Sequence, residues 1–391
     1  MTDPIDRITT GLIHHPYQPP GGFEAPQIGV HKASTIIFPN VAALRSRDWR
    51  HKTGYTYGLH GTPTTFLLEE RIATLEGGLQ TVLAPSGLAA IMLVDFALLA
   101  AGDELLIPDN AYGPGKELAR NELAGWGIAH RFYDAMDPAS LAAAITPKTR
   151  LVWLEAPGSV TMEFPDLPAL VGAVRAHPGV LVAIDNTWGA GLAFGPFDVG
   201  ADVSIQALTK YASGGADVLM GSVTTRDDSL HQRLKATHMR MGWGVGANDA
   251  EAVLRGLPSI ALRYEAQDRA GRELAAWWKA RPEVAAVLHP ALTGSPGHAH
   301  WAELCTQAAG LFSVVFDARF SARQVDAFLD ALKLFRLGYS WAGPVSLAVP
   351  YDLAAYRSRP PWPGTLVRFS LGLEAVSDLI ADCEQALAAL P

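Results

Sequence analysis

Short apolar segments alternate with helical segments from about residue 64 to residue 250, and this alternation restricts the fold more than any other feature. Strands are predicted at 81–84, 104–107, 130–133, 151–155, 180–184 and 203–206, with helices between them such as 88–99 and 167–176. Such a pattern is typical of a doubly wound α/β domain. We therefore expect a ligand cleft at the carboxyl ends of these strands.

The rest of the chain predicts an arm and a second domain. Residues 1–58 are rich in Pro, Gly and His with little periodicity, and we interpret them as an arm that contacts a neighbouring subunit. A break at Gly256–Pro258 precedes a long predicted helix over 260–280. Strands at 312–316 and 366–371 and helices at 322–332 and 376–390 then predict a smaller α/β domain. The expected division is 1–58, 59–255 and 256–391, since 391 residues exceed one simple core.

Composition excludes several classes of function. Apolar residues make up 49% of the chain and charged residues 18%, which favours a large interior and subunit interfaces in a homo-oligomer. The net charge of -8, without a Lys/Arg block, argues against nucleic acid as a partner. The two cysteines, Cys305 and Cys383, lack zinc-type spacing, and the pair His14-His15 has no spaced co-ligands, so no metal site is expected.

Location is predicted from the same data. The N-terminus lacks the basic and apolar regions of a signal peptide. The most apolar stretch, 87–102, is shorter than a membrane span and contains Asp95. We expect a cytoplasmic protein without a membrane segment.

Lys210 lies in a context that favours pyridoxal phosphate (PLP) chemistry. A lysine that forms a Schiff base needs a small polar neighbour such as Thr209, a glycine-rich backbone beyond it, and a buried carboxylate for the pyridine nitrogen. Asp185 ends the apolar run 180–184 and provides that carboxylate. Taken singly, such residues are more often a solvated lysine or turn residues. Their ordered occurrence favours the cofactor site.

Three further segments add to that site. Gly87 and Leu88 open a helix, and their free amides suit a phosphate, although Ser86 could simply cap the helix. Tyr112 follows a strand, where it could stack on a planar ring and transfer a proton, or pack as a loop tyrosine. Arg368 lies in an alternating strand, either facing solvent or buried against a carboxylate. Tyr339, Ser340 and Trp341 could form a wall of the same pocket, with a core position as the alternative for Trp341.

Seven motifs over nearly the whole chain resemble one family. They are 57–64 (YGLHGTPT), 86–90 (SGLAA), 155–163 (EAPGSVTME), 185–188 (DNTW), 206–211 (QALTKY), 339–341 (YSW) and 368–374 (RFSLGLE). The chain resembles the transsulfuration, or Cys/Met metabolism, family of PLP enzymes of fold type I (aspartate aminotransferase-like), and within it the cystathionine β-lyases. The resemblance implies a large PLP-binding α/β domain, a smaller C-terminal α/β domain and a dimer, usually paired into a tetramer.

The resemblance also implies a role for each site residue. Lys210 would bind the cofactor covalently, Asp185 would pair with its ring nitrogen, and Tyr112 would lie over the ring. The phosphate would be held by Gly87, Leu88 and Thr209, together with Tyr57 of a neighbouring subunit. Arg368 would bind the substrate carboxylate. Three positions depart from many relatives, namely Leu59 for Arg, Ala207 for Ser and Val345 for Glu.

The expected reaction is β-elimination from L-cystathionine, giving homocysteine, pyruvate and ammonia, as part of methionine biosynthesis. Lys210 would remove the Cα proton, and Tyr112 or Lys210 would protonate the leaving thiolate. Gly158-Ser159, where γ-acting relatives commonly have Asn-Pro, and Trp341 favour this reaction. The alternatives are a γ-synthase, γ-lyase or sulfhydrylase activity, or a PLP-binding regulatory protein. A regulatory protein would need a basic DNA-binding extension, which the sequence lacks.

Overall fold

The computed structural model describes residues 10, 12–13, 21–22, 25–26, 28–357 and 362–390. It contains two sheets with helices packed on them. In chain order the elements are α1 (Val41–Arg45), α2 (Pro63–Glu76), β1 (Gln80–Ala84), α3 (Gly87–Leu98), β2 (Glu104–Pro108), α4 (Gly113–Leu118), β3 (Ala129–Tyr133), α5 (Pro138–Ala144), β4 (Thr149–Glu155), α6 (Leu167–Arg175), β5 (Leu181–Asp185), β6 (Val203–Ala207), β7 (Gly221–Thr225), α7 (Asp228–Met241), α8 (Ala247–Gly256), α9 (Ile260–Lys279), β8 (Val284–Leu288), α10 (His298–Leu304), β9 (Leu311–Phe316), α11 (Ala322–Asp330), β10 (Arg336–Leu337), β11 (Leu347–Tyr351), α12 (Leu353–Tyr356), β12 (Leu366–Ser370) and α13 (Val376–Ala386).

The larger sheet has seven strands in the order β1-β7-β6-β5-β4-β2-β3. All six strands predicted for this region are present, with ends that differ by one or two residues. The sequence pattern missed β7, because Gly221–Thr225 carries only one strongly apolar residue although the whole strand is buried. Since β7 pairs antiparallel with both β1 and β6, the other six strands run in one direction. Their carboxyl ends therefore meet at one edge of the sheet.

The smaller sheet has five strands in the order β10-β11-β12-β9-β8. Strands β9 and β12 were predicted, whereas β8, β10 and β11 were missed. Strand β11 contains Pro350, which lowers its strand signal because proline cannot donate to a ladder. The structure accommodates Pro350 because the short β10 pairs only with Leu347 and Ala348, and the proline lies beyond that pairing. Helices α9 and α13 pack on each other beside this sheet.

The structure describes only part of the predicted arm, residues 1–58. The pair His14-His15 lies outside the described residues, as do residues 1–9. Within the described part, Val41–Arg45 forms a short helix that Asn40 caps by accepting a hydrogen bond from the Ala43 amide at 2.8 Å. Ile37 and Val41 are exposed. The arm thus includes one short helix, which the sequence interpretation did not predict.

The described residues contain no helix that is both long and apolar enough to cross a membrane. Nor do they contain a group of three or more His, Cys, Asp or Glu residues arranged to hold a metal ion. Cys305 and Cys383 are both buried and unpaired with each other as a disulfide.

Candidate active site

A cavity of about 420 Å³ lies where the carboxyl ends of the large sheet face the small sheet. This volume falls within the usual range for a small-molecule site, about 300–1,000 Å³. Its walls include all but one of the predicted site residues: Gly87, Leu88, Tyr112, Asp185, Thr209, Lys210, Tyr339, Ser340, Trp341 and Arg368. The fold therefore assembles in one place residues that are up to 281 positions apart between Gly87 and Arg368.

Lys210 enters this cavity three residues after the end of β6. Its Nζ donates a hydrogen bond to Ser340 Oγ at 2.5 Å and lies 5.5 Å from the centre of the Trp341 ring. Burial lowers the pKa of Lys210 to about 8, with a further contribution from the Arg368 charge, while Asp185 acts in the opposite direction. The amine is therefore neutral in a substantial fraction of molecules near pH 8, as a nucleophile or base must be.

Asp185 is the last residue of β5 and faces the same cavity. Burial raises the pKa of its carboxyl, and hydrogen bonds from Thr187 and the charge of Lys210 partly offset this. The Thr187 amide donates to Asp185 Oδ1 at 2.9 Å, which fixes the orientation of the carboxyl. A carboxylate so held can pair with a cationic ring nitrogen.

Helix α3 begins at the cavity wall. Ser86 is its N-cap and accepts a hydrogen bond from the Ala89 amide at 3.0 Å. Gly87 and Leu88 are the first two helical residues, whose amides have no acceptor within the helix. A Cβ on Gly87 would lie 2.6 Å from the Cβ of Ala207, so only glycine lets the helix start this close to β6. The helix start and its positive dipole end suit a phosphate.

Thr209 also lines the cavity, but its hydroxyl is already bonded to a backbone segment. Thr209 Oγ1 accepts from the Met220 amide at 3.1 Å and lies 3.3 Å from the Met220 carbonyl. Because a hydroxyl has a single proton to donate, Thr209 could donate to a phosphate oxygen only by giving up its bond to the Met220 carbonyl.

Tyr112 follows β2 and directly precedes α4. Its ring is 42% exposed at the cavity mouth. Burial raises the pKa of the phenol, and the nearby Asp185 charge raises it further. The hydroxyl therefore remains protonated at neutral pH and is suited to donate a proton.

Arg368 is buried in the middle of β12, which excludes the solvent-facing alternative. Its Nη2 donates to the Ser340 carbonyl at 3.2 Å, and its guanidinium lies 5.3 Å from the centre of the Tyr351 ring. Ser340 adopts a φ of 85°, a strained value for a residue other than glycine. Ser340 thereby contacts Lys210 with its side chain and Arg368 with its carbonyl.

Trp341 and Tyr339 flank Ser340 on either side. Trp341 is partly buried, and its ring meets Tyr211 edge to face at 5.6 Å. Tyr339 is 77% exposed and lies at the rim, with its ring centre 6.4 Å from that of Tyr351. Both line the cavity, so Trp341 is a wall residue as well as a core contact.

Tyr57 is the one predicted residue that the structure leaves outside the cavity. It precedes a short 3₁₀ turn at Gly58–His60, is 46% exposed, and packs its ring against His60 at 5.8 Å. The neighbouring Leu59 lines a separate small cavity with Lys235 and His238. A contact of Tyr57 with a second subunit stays a prediction.

Sequence reasoning missed Glu155 as a site residue, although it begins one of the quoted motifs. Glu155 ends β4, directly opposite Asp185 on β5, and it lines the cavity. Burial raises the pKa of its carboxyl well above the ordinary value, and the charge of Asp185 raises it further. Its position at a parallel strand end, one strand away from Asp185, was the available signal.

These features together fit pyridoxal phosphate. A lysine amine of lowered pKa, a buried carboxylate and a helix start with free amides at Gly87 and Leu88 surround one cavity of sufficient size. Gly87 has no side chain to cover these amides, and the 2.6 Å approach of a Cβ there to the Ala207 Cβ would not admit one. The donor set matches an aldehyde, a pyridine nitrogen and a phosphate respectively.

Comparisons with known proteins give the same result. The family model described as Cys/Met metabolism PLP-dependent enzyme matches residues 9–388. A cystathionine beta-lyase of Bordetella avium is 39% identical over 98% of this chain and 97% of its own length. Cystathionine beta-lyase MetC of Escherichia coli is 37% identical over 92% of each chain. The crystal structure of a cystathionine gamma synthase from Xanthomonas oryzae superposes with a TM-score of 0.86 at 31% identity, covering 94% of each chain. The protein belongs to the Cys/Met metabolism family of PLP-dependent enzymes.

Proposed function

We propose that this protein is a carbon-sulfur β-lyase that cleaves L-cystathionine to homocysteine, pyruvate and ammonia. The β-lyase names of its relatives over nearly full length support the choice of reaction. The structural observation that carries the proposal is the double contact of Ser340, to Lys210 Nζ at 2.5 Å and to Arg368 Nη2 at 3.2 Å. This contact places a proton acceptor and a carboxylate-binding cation next to each other, as an α-amino acid substrate requires.

Each residue has a defined task in this reaction. Bound pyridoxal phosphate would supply an electron sink for the negative charge that forms at the substrate Cα. Arg368 binds the α-carboxylate in bidentate fashion and so orients the substrate. Lys210 Nζ, whose neutral form burial favours by lowering its pKa to about 8, takes the Cα proton. Tyr112 or Lys210 protonates the thiolate that leaves from Cβ.

The remaining predicted residues hold the cofactor and the rest of the substrate. Asp185 would keep the ring nitrogen protonated, and Gly87, Leu88 and Thr209 would hold the phosphate. Trp341 and Tyr339 would contact the distal part of the thioether. Placement of these side chains around the cavity supports the assignment.

A dimer with shared sites forms part of the proposal, as does the division into an arm (1–58), a cofactor domain (59–255) and a C-terminal domain (256–391). The two separate sheets support the two domains. The exposure of Tyr57, outside its own cavity, supports a role in a neighbouring site. A cytoplasmic location stays a prediction from the sequence.

Product analysis tests the reaction. The purified protein, loaded with pyridoxal phosphate, is incubated with L-cystathionine, and the keto acid and thiol are identified by mass spectrometry. Pyruvate with homocysteine supports the β-lyase. Cysteine with 2-oxobutyrate would instead indicate γ-elimination, the reaction of the alternative γ-lyase. Formation of neither keto acid would contradict both reactions.

Mixing two inactive variants tests the shared site. Lys210→Ala subunits retain Tyr57, and Tyr57→Ala subunits retain Lys210. Random reassembly of a two-fold dimer should restore about a quarter of the wild-type sites, because half of the dimers are mixed and each has one intact site. If the mixture stays as inactive as its components, Tyr57 does not act across a subunit boundary.

A further inference from the structure

Behind the main cavity lies a second, much smaller one of about 20 Å³. This volume holds about one water molecule. Four residues line both cavities and so form the wall between them: Ile91, Tyr112, Glu155 and Asp185. Two of the four carry carboxyl groups.

Glu155 is bonded to a loop that forms part of the main cavity. The Tyr112 amide donates a hydrogen bond to Glu155 Oε2 at 2.8 Å. Tyr112 lines the main cavity on the loop that follows β2. The Glu155 side chain, at the end of β4, therefore ties this loop to the neighbouring strand.

Glu155 also faces a like group. Glu155 and Asp185 are register partners on the adjacent parallel strands β4 and β5, and both lie in a desolvated wall. Two carboxylates in such a place cannot both be charged without a large cost. Burial and the Asp185 charge raise the pKa of Glu155 well above its ordinary value, although the Tyr112 hydrogen bond and the Lys116 charge act in the opposite direction. The hydrogen bonds of Thr187 and the charge of Lys210 favour the anion at Asp185, so Glu155 is the member that retains the proton.

We propose that Glu155 is a positioning residue, a neutral carboxylic acid that anchors the Tyr112 loop and leaves the negative charge beside the cofactor ring nitrogen at Asp185. Its Oε2 accepts the Tyr112 amide, and its protonated state spares Asp185 a repulsive neighbour. Glu155 thus acts on the reaction through Tyr112 and Asp185.

Three substitutions of Glu155 separate the effect of its side-chain length from the effect of its acidic group. Glu155→Gln keeps the length, the acceptor oxygen and the neutral state, whereas Glu155→Asp keeps the acid but is too short to reach the Tyr112 amide. Glu155→Ala removes every contact. The dissociation constant of pyridoxal phosphate from the apoprotein is measured by absorbance titration, and kcat and KM are measured with L-cystathionine.

We expect Glu155→Gln to keep cofactor affinity and kcat within about threefold of wild type. Glu155→Ala should weaken cofactor binding about tenfold or more, as loss of a buried hydrogen-bond partner does, and lower kcat more than it raises KM. Asp95→Asn is the matched control, because Asp95 lines the small cavity but accepts a hydrogen bond from the Trp153 indole instead of the Tyr112 loop. It should leave both constants unchanged.

The ranking of Glu155→Gln and Glu155→Asp by cofactor affinity and kcat tests the proposal even where Glu155→Ala fails to fold. If Glu155→Asp binds the cofactor more tightly or has a higher kcat than Glu155→Gln, the proposal is overturned. The acidic group would then matter more than the length of the side chain. Wild-type constants in Glu155→Ala would overturn it too. In a Tyr112→Phe background, the kcat effect of Glu155→Ala should shrink, because residues that act through one another are not additive; full additivity would contradict a role through Tyr112.

Of the measurements that test this inference, only kcat and KM rest on the proposed function. Cofactor affinity is independent of the substrate. If L-cystathionine is not cleaved but the affinities follow the expected order, the proposed reaction fails while the role of Glu155 stands.

Discussion

Lys210 derives its reactivity from its surroundings. Burial removes water from the ammonium, and Arg368 adds a second positive charge nearby, so its pKa falls from 10.5 to about 8. Asp185 opposes this shift but does not cancel it. The Lys210 amine also donates a hydrogen bond to Ser340 Oγ, which holds it at one position within the cavity.

Lys210→Ala should abolish pyruvate formation and covalent attachment of the cofactor. Lys210 is the only lysine among the described residues that line the cavity. Neither pyruvate nor attached cofactor should therefore be detected. Borohydride reduction followed by intact mass spectrometry measures the attachment. Lys148→Ala, at an exposed surface position, is the control and should retain the cofactor mass. Retained attachment in Lys210→Ala would contradict the assignment.

The rate of cofactor attachment to the apoprotein should rise with pH through a midpoint near 8, because only the neutral amine reacts. Arg368→Leu removes a charge that lowers the pKa of Lys210, so the midpoint should move to higher pH. Stopped-flow absorbance against pH measures it. Arg150→Leu, at the opposite end of the large sheet, should leave the midpoint in place. A wild-type midpoint near 10.5 would show that Lys210 is not buried as described.

Helix α3 links the cofactor site to the large sheet. It is apolar over most of its length, contacts both β6 and β7, and begins directly at the cavity. Its first residue, Gly87, lies against Ala207 at the end of β6. This close packing brings the helix amides to the position where a phosphate would bind.

Gly87→Ala should weaken cofactor binding, because the added Cβ would lie 2.6 Å from the Ala207 Cβ and displace the helix start. Overpacking of this kind costs about 1–3 kcal/mol. Absorbance titration of the apoprotein measures the affinity. Gly172→Ala within α6 is the control, since no atom lies within 4 Å of the new Cβ, and a helical glycine replaced by alanine gains stability of about 0.5–1 kcal/mol. Equal affinities in the two variants would refute the role of the helix start.

At the scale of the whole molecule, the cavity exists because two sheets meet. Asp185 ends a strand of the large sheet and Lys210 follows β6, whereas Arg368 lies in β12 and Ser340 in the loop between β10 and β11 of the small sheet. Tyr211, next to Lys210, joins the two halves by accepting a hydrogen bond from the Gly310 amide at 2.9 Å.

Tyr211→Phe should destabilise the protein by about 1–3 kcal/mol, because the buried Gly310 amide loses its acceptor. Urea unfolding of the holoenzyme, at fixed protein and cofactor concentrations, measures the change. Kcat should fall as well, since the bond lies beside Lys210. Tyr55→Phe, at a ring that is 43% exposed, should change stability by less than about 0.5 kcal/mol. A stability loss in Tyr55→Phe equal to that in Tyr211→Phe would argue against the bond as the cause.

Local signals accounted for much of the fold and the site. Apolar runs identified five strands of the large sheet, because most side chains of β1, β2, β4, β5 and β6 are buried on both faces. The edge strand β3 is half exposed and has a mixed pattern. Lys210, Asp185 and the start of α3 were found because each chemical role demands a particular residue type at a strand or helix end. Those demands act over a few residues and are therefore visible in sequence.

Only the tertiary structure decided the remaining features. Strand β7 is polar and became a strand because β1 and β6 leave a gap that it fills. Glu76 lies buried beneath the site, bonded to Asn186, Ser204 and Gln206, and burial raises its pKa to about 7. Glu155 gained its role only when β4 and β5 aligned it with Asp185. Pairing between distant segments depends on how the whole chain packs, and no local pattern of residues specifies it.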